Sequence, residues 1–267
     1  MKVNQKVVVV TGAGSGMGRE LTLELVRRGA SVAAIDMRAE TLEETKALAV
    51  ALGGKVETFV VDITDAAKVA KLPADIVKKL GEVDALVNNA GIIQPFVKIN
   101  ELSLESAAKV MNVNFTGPLM MVKAFLPGLL TRSEAHILNV SSMGAYAPVP
   151  GQSVYGASKA AIKLFTEGLR SELLDTNVGV TIVFPGAIAT NIAQNSGMAI
   201  PAGGAEAESS FKMTEAPVAA KKMVDAIENK KPRITIGQDA TMMDILSRLN
   251  PIMAANIIYK QMRSLLG

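Results

Sequence analysis

The amino-acid sequence predicts an α/β fold: one domain in which seven parallel strands form a doubly wound sheet with helices on both faces. Strand-like apolar runs alternate with helix-like segments through most of the 267 residues, the pattern of consecutive βαβ units. The first run, Lys6-Val7-Val8-Val9-Val10, leads directly into a glycine-rich turn, Thr11-Gly12-Ala13-Gly14-Ser15-Gly16-Met17-Gly18, and then into a helix-like stretch from Arg19 to Arg28. No internal repeat appears beyond this alternation, and a chain of this length with 49% hydrophobic residues can bury one large core.

In chain order, strands are expected near 6–11, 31–36, 56–61, 84–88, 135–141, 178–184 and 232–236, where apolar runs suit strands covered on both faces. The segments between them read as helices, including 40–52, 66–80, a long helix over 103–130 with a break, and 152–176. Residues 187–215 differ: Gly, Ala, Ser and Asn dominate, prolines stand at the margins, and helical periodicity is poor, which predicts a mobile lid. After the last strand, Met242, Ile245, Leu246 and Leu249 fall at i, i+3, i+4 and i+7. A second stripe follows Pro251 through Ala254, Ile258, Met262 and Leu265. Two amphipathic helices are therefore expected. The division is 1–237 as the main domain and 238–267 as a helical extension, packed on the same domain or on a partner subunit.

Composition narrows the function. With 28 basic and 25 acidic residues the formal net charge is +3, and no Lys/Arg cluster extends beyond pairs such as Lys221-Lys222, so a nucleic-acid surface is not supported. The absence of cysteine excludes disulfides, thiolate nucleophiles and Cys-ligated zinc. The single histidine, His136, is read as beginning a strand, and no metal site is expected. The start of the chain lacks a signal-peptide pattern and no apolar run reaches the ~18 residues of a membrane span, so the expected location is the cytoplasm.

The glycine turn is a credible phosphate cradle. Glycine lets backbone approach a pyrophosphate, and the following helix presents free N–H groups and the positive end of its dipole. The G-x-G-x-x-G fingerprint fails because Met17 stands where its third glycine should be; the fit is T-G-x-x-x-G-x-G through Gly12, Gly16 and Gly18. No G-x-x-x-x-G-K-[ST] loop occurs. In Tyr155-Gly156-Ala157-Ser158-Lys159, helical spacing would stack Tyr155 and Lys159 on one face, and a neighbouring cation lowers a phenol that normally titrates near ~10. Ser142 ends an apolar run 13 residues upstream of Tyr155.

Together these segments resemble the classical short-chain dehydrogenase/reductase family, from about Val3 to Ile236. Asn88-Asn89-Ala90-Gly91 matches the family's N-N-A-G, Asn114 its helix asparagine, Ser142 and Tyr155-x-x-x-Lys159 its catalytic set, and Pro185-Gly186 with Thr190 its P-G-x-x-x-T. The resemblance implies a Rossmann fold. It further implies that Tyr155 is the acid/base, that Ser142 holds the reacting oxygen, that Lys159 lowers the Tyr155 pKa and grips the nicotinamide ribose, and that Asn114 supports a water relay to Lys159. Cofactor contacts are implied at Gly12, Ser15, Gly16, Met17, Gly18, Asp36, Met37, Arg38, Asp62, Ile63, Asn89, Ala90, Gly91, Tyr155, Lys159, Pro185, Gly186, Ile188 and Thr190.

Asp36 ends the second strand 18 residues beyond Gly18, where a carboxylate accepts both ribose hydroxyls and repels a 2′-phosphate. NAD is thus expected in preference to NADP, with Arg38 as a partial route to NADP. Asp36 could instead cap the next helix. Asp62, which the resemblance places against the adenine amino group, could also be an N-cap, and Thr190 could be a lid-helix cap. Tyr146 and Ser141 are assigned to packing or the substrate pocket.

The expected activity is interconversion of a secondary alcohol and a ketone; the alternative is a non-catalytic NAD(H)-binding redox sensor. Seven of the 14 methionines lie from Met198 onward, which suits an apolar or bulky small-molecule substrate. No arginine occurs between Ala187 and Phe211, which disfavours a strongly anionic one. A homodimer or homotetramer is expected. The C-terminal helices roof the pocket, meet a second subunit, or touch a membrane surface peripherally through Arg248, Lys260 and Arg263.

Overall fold

Valines on alternate sides of the first strand set the layering: Val8 and Val10 enter one buried cluster, Val7 and Val9 the other. In the computed structural model, which describes residues 1–190, 192–197 and 213–266, seven strands run parallel. They are β1 (Val7–Thr11), β2 (Ser31–Asp36), β3 (Val56–Val60), β4 (Ala85–Asn88), β5 (Ala135–Val140), β6 (Val178–Pro185) and, last in the sheet, Arg233–Ile236. Their order is β3-β2-β1-β4-β5-β6-last, with the reversal of winding between β1 and β4. That is the crevice where a doubly wound sheet presents a ligand site.

One face is covered by α1 (Gly16–Arg27), α2 (Ala39–Ala51) and a helix over Ala216–Glu228; the other by α3 (Ala66–Leu80), the Gly117–Leu130 helix and the Ser153–Glu172 helix. The long helix expected over 103–130 does not break. It runs as α4 (Leu104–Met111), a π-helical turn over Asn112–Thr116, and α5 (Gly117–Leu130). By length and composition the Leu104–Leu130 stretch is apolar enough to cross a membrane, contrary to the sequence expectation. Here Met121, Val122, Phe125 and Leu129 are instead buried against the sheet, so the apolarity is that of a core helix.

The remaining helices are α6 (Ser153–Glu172), the short α7 (Ile192–Asn195), α8 (Ala216–Glu228), α9 (Gln238–Leu249) and α10 (Pro251–Met262). Two short strands, β7 (Ile188–Ala189) and β8 (Thr214–Glu215), pair with each other, and Arg233–Ile236 is β9. The centre of the expected lid, 198–212, lies outside the described residues. Its flanks are β7, α7 and β8.

The C-terminal helices fold back on their own chain. Met243, Ala254 and Ile258 bury with Ala147 and pack on Met143, Tyr146 and Val149. On α9 the stripe lies mostly outward, with Met242 50%, Ile245 56% and Leu249 79% exposed, while Ala240 and Met243 are buried. The Tyr146 hydroxyl donates to the Ala240 carbonyl at 2.8 Å on the inward side.

Candidate active site

The turn after β1 is shaped by missing side chains. Gly12 has φ 67° and Gly16 φ 52°. A Cβ on Gly12 would lie 2.9 Å from the Ala90 Cα, and one on Gly18 would run into the Gly12 carbonyl. Ser15 stands at the N-cap of α1 without capping it, so among the described residues no side chain caps the first N–H groups of that helix. A concave backbone with an uncapped helix start fits a pyrophosphate. Thr11 stitches this turn to β4: its Oγ1 accepts from Asn89 N at 3.0 Å and Ala90 N at 3.1 Å, and its carbonyl accepts from the Asn89 amide at 3.1 Å. Met17 packs against the core from the same turn.

At the end of β2 the buried Asp36 accepts from Gly14 N at 3.0 Å and Arg38 N at 3.1 Å. It does not cap α2, whose N-cap is Arg38. Met37 is 67% exposed beside it. The Arg38 guanidinium donates to Asn195 Oδ1 at 2.8 Å and Ser15 Oγ at 3.2 Å, and Asn195 Nδ2 donates to Ser15 Oγ at 3.0 Å. This triangle joins the glycine turn, the β2 end and α7. Asp62 is not the N-cap of α3; Asp65 is, accepting from Ala67 N and Lys68 N, while Asp62 accepts from Thr64 N and Oγ1. Ile63 is buried against Gly117.

At the carboxyl end of β5, Ser142 and Tyr155 converge on Gly144, where a Cβ would stand 3.4 Å from the serine Oγ and 3.3 Å from the tyrosine ring, and the serine hydroxyl accepts from Gly144 N at 3.1 Å. Lys159, one turn further along α6, is buried and donates to the Val140 carbonyl at 3.1 Å, with Nζ 5.9 Å from the centre of the Tyr155 ring. The expected lowering of Tyr155 by Lys159 does not appear. Although Tyr155 is only partly buried by area, its enclosure by protein raises the phenol above its ordinary value, and only the nearby Ser142 hydroxyl opposes this. Burial also lowers Lys159 to about 8, because neither charge is hydrated.

Asn114 is buried, while Asn112, two residues before it, is exposed. The Asn114 amide is fully engaged: it donates to the Ile92 carbonyl and Ser158 Oγ and accepts from Ile92 N, each at 2.9 Å. Gly91 lies between Lys159 and Asn114; a Cβ there would sit 3.1 Å from Nζ. Gly186 follows Pro185 at the end of β6, donating to the Ile236 carbonyl at 2.8 Å, and Thr190 lies against Gly16. Ile188 is partly buried in β7.

Two residues of the site escape the sequence reading. Gln94 and Asn195 carry no motif, although Gln94 is the one polar side chain in Ile92-Ile93-Gln94-Pro95-Phe96, which is a usable signal. Of the two residues left between packing and substrate, Ser141 donates to the Lys159 carbonyl at 2.7 Å and Tyr146 anchors α9. His136 lies inside β5, with Nε2 2.8 Å from Thr181 Oγ1 and burial lowering its pKa to about 3.

The buried ammonium predicts a stability effect opposite in sign to its use. A lysine titrating near 8 when folded and 10.5 when unfolded binds fewer protons folded between those values. The penalty is therefore full below about 8 and fades as pH rises to 10.5. Lys159→Met should stabilise the chain by ~1–3 kcal/mol at neutral pH. Urea unfolding at neutral and alkaline pH checks this, and the gain should shrink at alkaline pH.

The short chain dehydrogenase family model matches residues 6–200. SadH of Mycobacterium tuberculosis is 34% identical over 91% of this chain and 90% of its own. The 3-oxoacyl-[acyl-carrier-protein] reductase FabG of Thermotoga maritima is 35% identical over 71% of this chain and 77% of its own. Among solved structures, a short chain dehydrogenase/reductase from Burkholderia phymatum in complex with NAD superimposes with TM-score 0.84 at 26% identity, covering 93% of this chain and 94% of that one.

Proposed function

Because the chain belongs to the short-chain dehydrogenase/reductase family of oxidoreductases, we propose that it interconverts a secondary alcohol and a ketone, using NAD(H), with Tyr155 as the acid/base. The observation that carries this reading is the convergence of Ser142 and Tyr155 on Gly144, one helical turn from a buried Lys159. A bound nicotinamide would supply the hydride acceptor or donor. Gly12, Gly16 and Gly18 with the start of α1 would hold the pyrophosphate, and Thr190 with Gly186 and Ile188 would lie toward the nicotinamide.

Ser142 would orient the substrate oxygen, its own oxygen fixed by Gly144 N. Tyr155 would take the hydroxyl proton in oxidation and return it to the alkoxide in reduction. Lys159 would contact the ribose. With its side-chain amide fully engaged, Asn114 would act on the proton path through the backbone of the π-helical turn.

NAD in preference to NADP follows from Asp36, whose buried carboxylate would meet a 2′-phosphate at close range; the NAD complex of the Burkholderia relative supports the same choice. The substrate is an apolar or bulky carbonyl compound, a reading supported by the activity in FabG's name. The exposed Ile245 and Leu249 support a homo-oligomer, and the reading assigns no nucleic acid or metal and places the enzyme in the cytoplasm.

The test is a panel of secondary alcohols and their ketones, including steroids and 3-hydroxyacyl compounds, followed by NADH absorbance with NAD and NADP in parallel. Turnover with NAD exceeding that with NADP is expected. Tight NADH binding without turnover of any pair would transfer the weight to redox sensing.

A further inference from the structure

Helix α6 carries both Tyr155 and Lys159, yet its own N-cap residue does not cap it: Gln152 makes no cap bond to the helix and turns its amide to the Gln94 carbonyl, 2.9 Å away. The first turn is capped from elsewhere in the chain. Gln94 Oε1 accepts from Val154 N at 2.8 Å and Tyr155 N at 3.0 Å, the N2 and N3 positions that an N-cap side chain ordinarily serves. Gln94 Nε2 donates to the Gly151 carbonyl at 2.9 Å, and the residue is 1% exposed. Its amide orientation is set by chemistry, since only the oxygen can receive two N–H groups.

The stretch of chain that carries Gln94 touches two other parts of the site. Ile92 is bound at both its N–H and its carbonyl by the Asn114 amide, and Ile93 N donates to Ser196 Oγ, just after α7, at 3.1 Å. Three consecutive residues are thus tied to the π-helical turn, the lid flank and the catalytic helix.

We propose that Gln94 is a positioning residue for Tyr155: it caps the catalytic helix across the chain and fixes the phenol relative to Ser142 through the backbone of Tyr155 itself. This rests on the acid/base role proposed for Tyr155. Without the Gln94 oxygen, two N–H groups at the base of the phenol lose their partner in a buried setting, and the first turn must unwind or shift to reach water. A displacement of about 1 Å at a reacting group can cost ~100-fold in rate.

The experiment compares Gln94→Met, which keeps the volume and removes the acceptor, with Gln94→Glu, which keeps an acceptor for both N–H groups. Three quantities are read: amide hydrogen exchange at Val154 and Tyr155, NADH affinity by fluorescence, and kcat on the panel alcohol that the wild type oxidises fastest. Gln94→Met should speed exchange at those two amides and lower kcat ~10- to 100-fold, with NADH affinity within about twofold. Gln94→Glu should recover most of both losses. A folded Gln94→Met protein with unchanged exchange and kcat would overturn the proposal, as would equal defects in the two variants. If the wild type oxidises nothing on the panel, the acid/base reading fails instead, and exchange still decides whether Gln94 caps the helix.

Discussion

Tyr155→Phe should lower turnover on the order of 10³-fold in either direction while leaving NADH affinity nearly unchanged. The substitution removes one oxygen, the phenol beside Ser142 that can exchange a proton with a substrate oxygen placed next to them. The ring stays, so the wall formed with Gly144 persists; a Cβ at that glycine would stand 3.3 Å from the tyrosine ring. Stability should change by no more than ~1 kcal/mol, because what the hydroxyl contributes is offset by no longer burying it. Steady-state kinetics with fluorescence titration of NADH distinguishes this from general damage, in which affinity and turnover fall together. Retention of full activity would remove Tyr155 from the mechanism.

Gly18→Ala should unfold or empty the cofactor site without touching any reacting group. The new methyl would meet the Gly12 carbonyl and stand 2.6 Å from the Asn89 amide. The first contact is backbone, so no side-chain rotation relieves it, and α1 must move away from β1. Expected losses are about 3 kcal/mol of stability and at least ~tenfold in NADH affinity, equivalent to ~1.4 kcal/mol. Gly128→Ala is the matched control: it lies within α5 with nothing within 4 Å of a Cβ, and should gain up to ~1 kcal/mol through helix propensity. Chemical denaturation of both variants tests the contrast, and equal effects would mean that the close approach at Gly18 is not what the turn depends on.

Much of this architecture is readable in the sequence because it rests on local patterns. The strand over Ser31–Asp36 and the helix over Ala66–Leu80 agree with the sequence expectation at both ends, since an apolar run or a helical periodicity is contained within the segment. The motif residues are legible because close backbone approach at Gly12 and Gly18 admits no other side chain. The features that escape the sequence are set by partners distant in the chain. The Tyr146 hydroxyl meets the Ala240 carbonyl of α9 from 94 residues away. The capping oxygen for Tyr155 comes from a residue 61 positions earlier, whose polarity among apolar neighbours marks it as unusual without naming its partner. The Tyr155 pKa departs from expectation for a related reason: spacing along a helix brings Lys159 near the ring, but burial, a property of the whole fold, outweighs that proximity.

The triangle of Ser15, Arg38 and Asn195 bears on how fast a dinucleotide could come and go. The bonds that Asn195 makes to Arg38 and Ser15 are exposed to solvent, and each holds on the scale of ~1 kcal/mol, so they can break in succession with no large barrier at any step. The glycine turn and the β2 end are held by the core, and α7 keeps its buried Ala193 and the Ile93 N–Ser196 Oγ bond beside it. Substitutions at Asn195 would then change dissociation rates while leaving the bound geometry as it is.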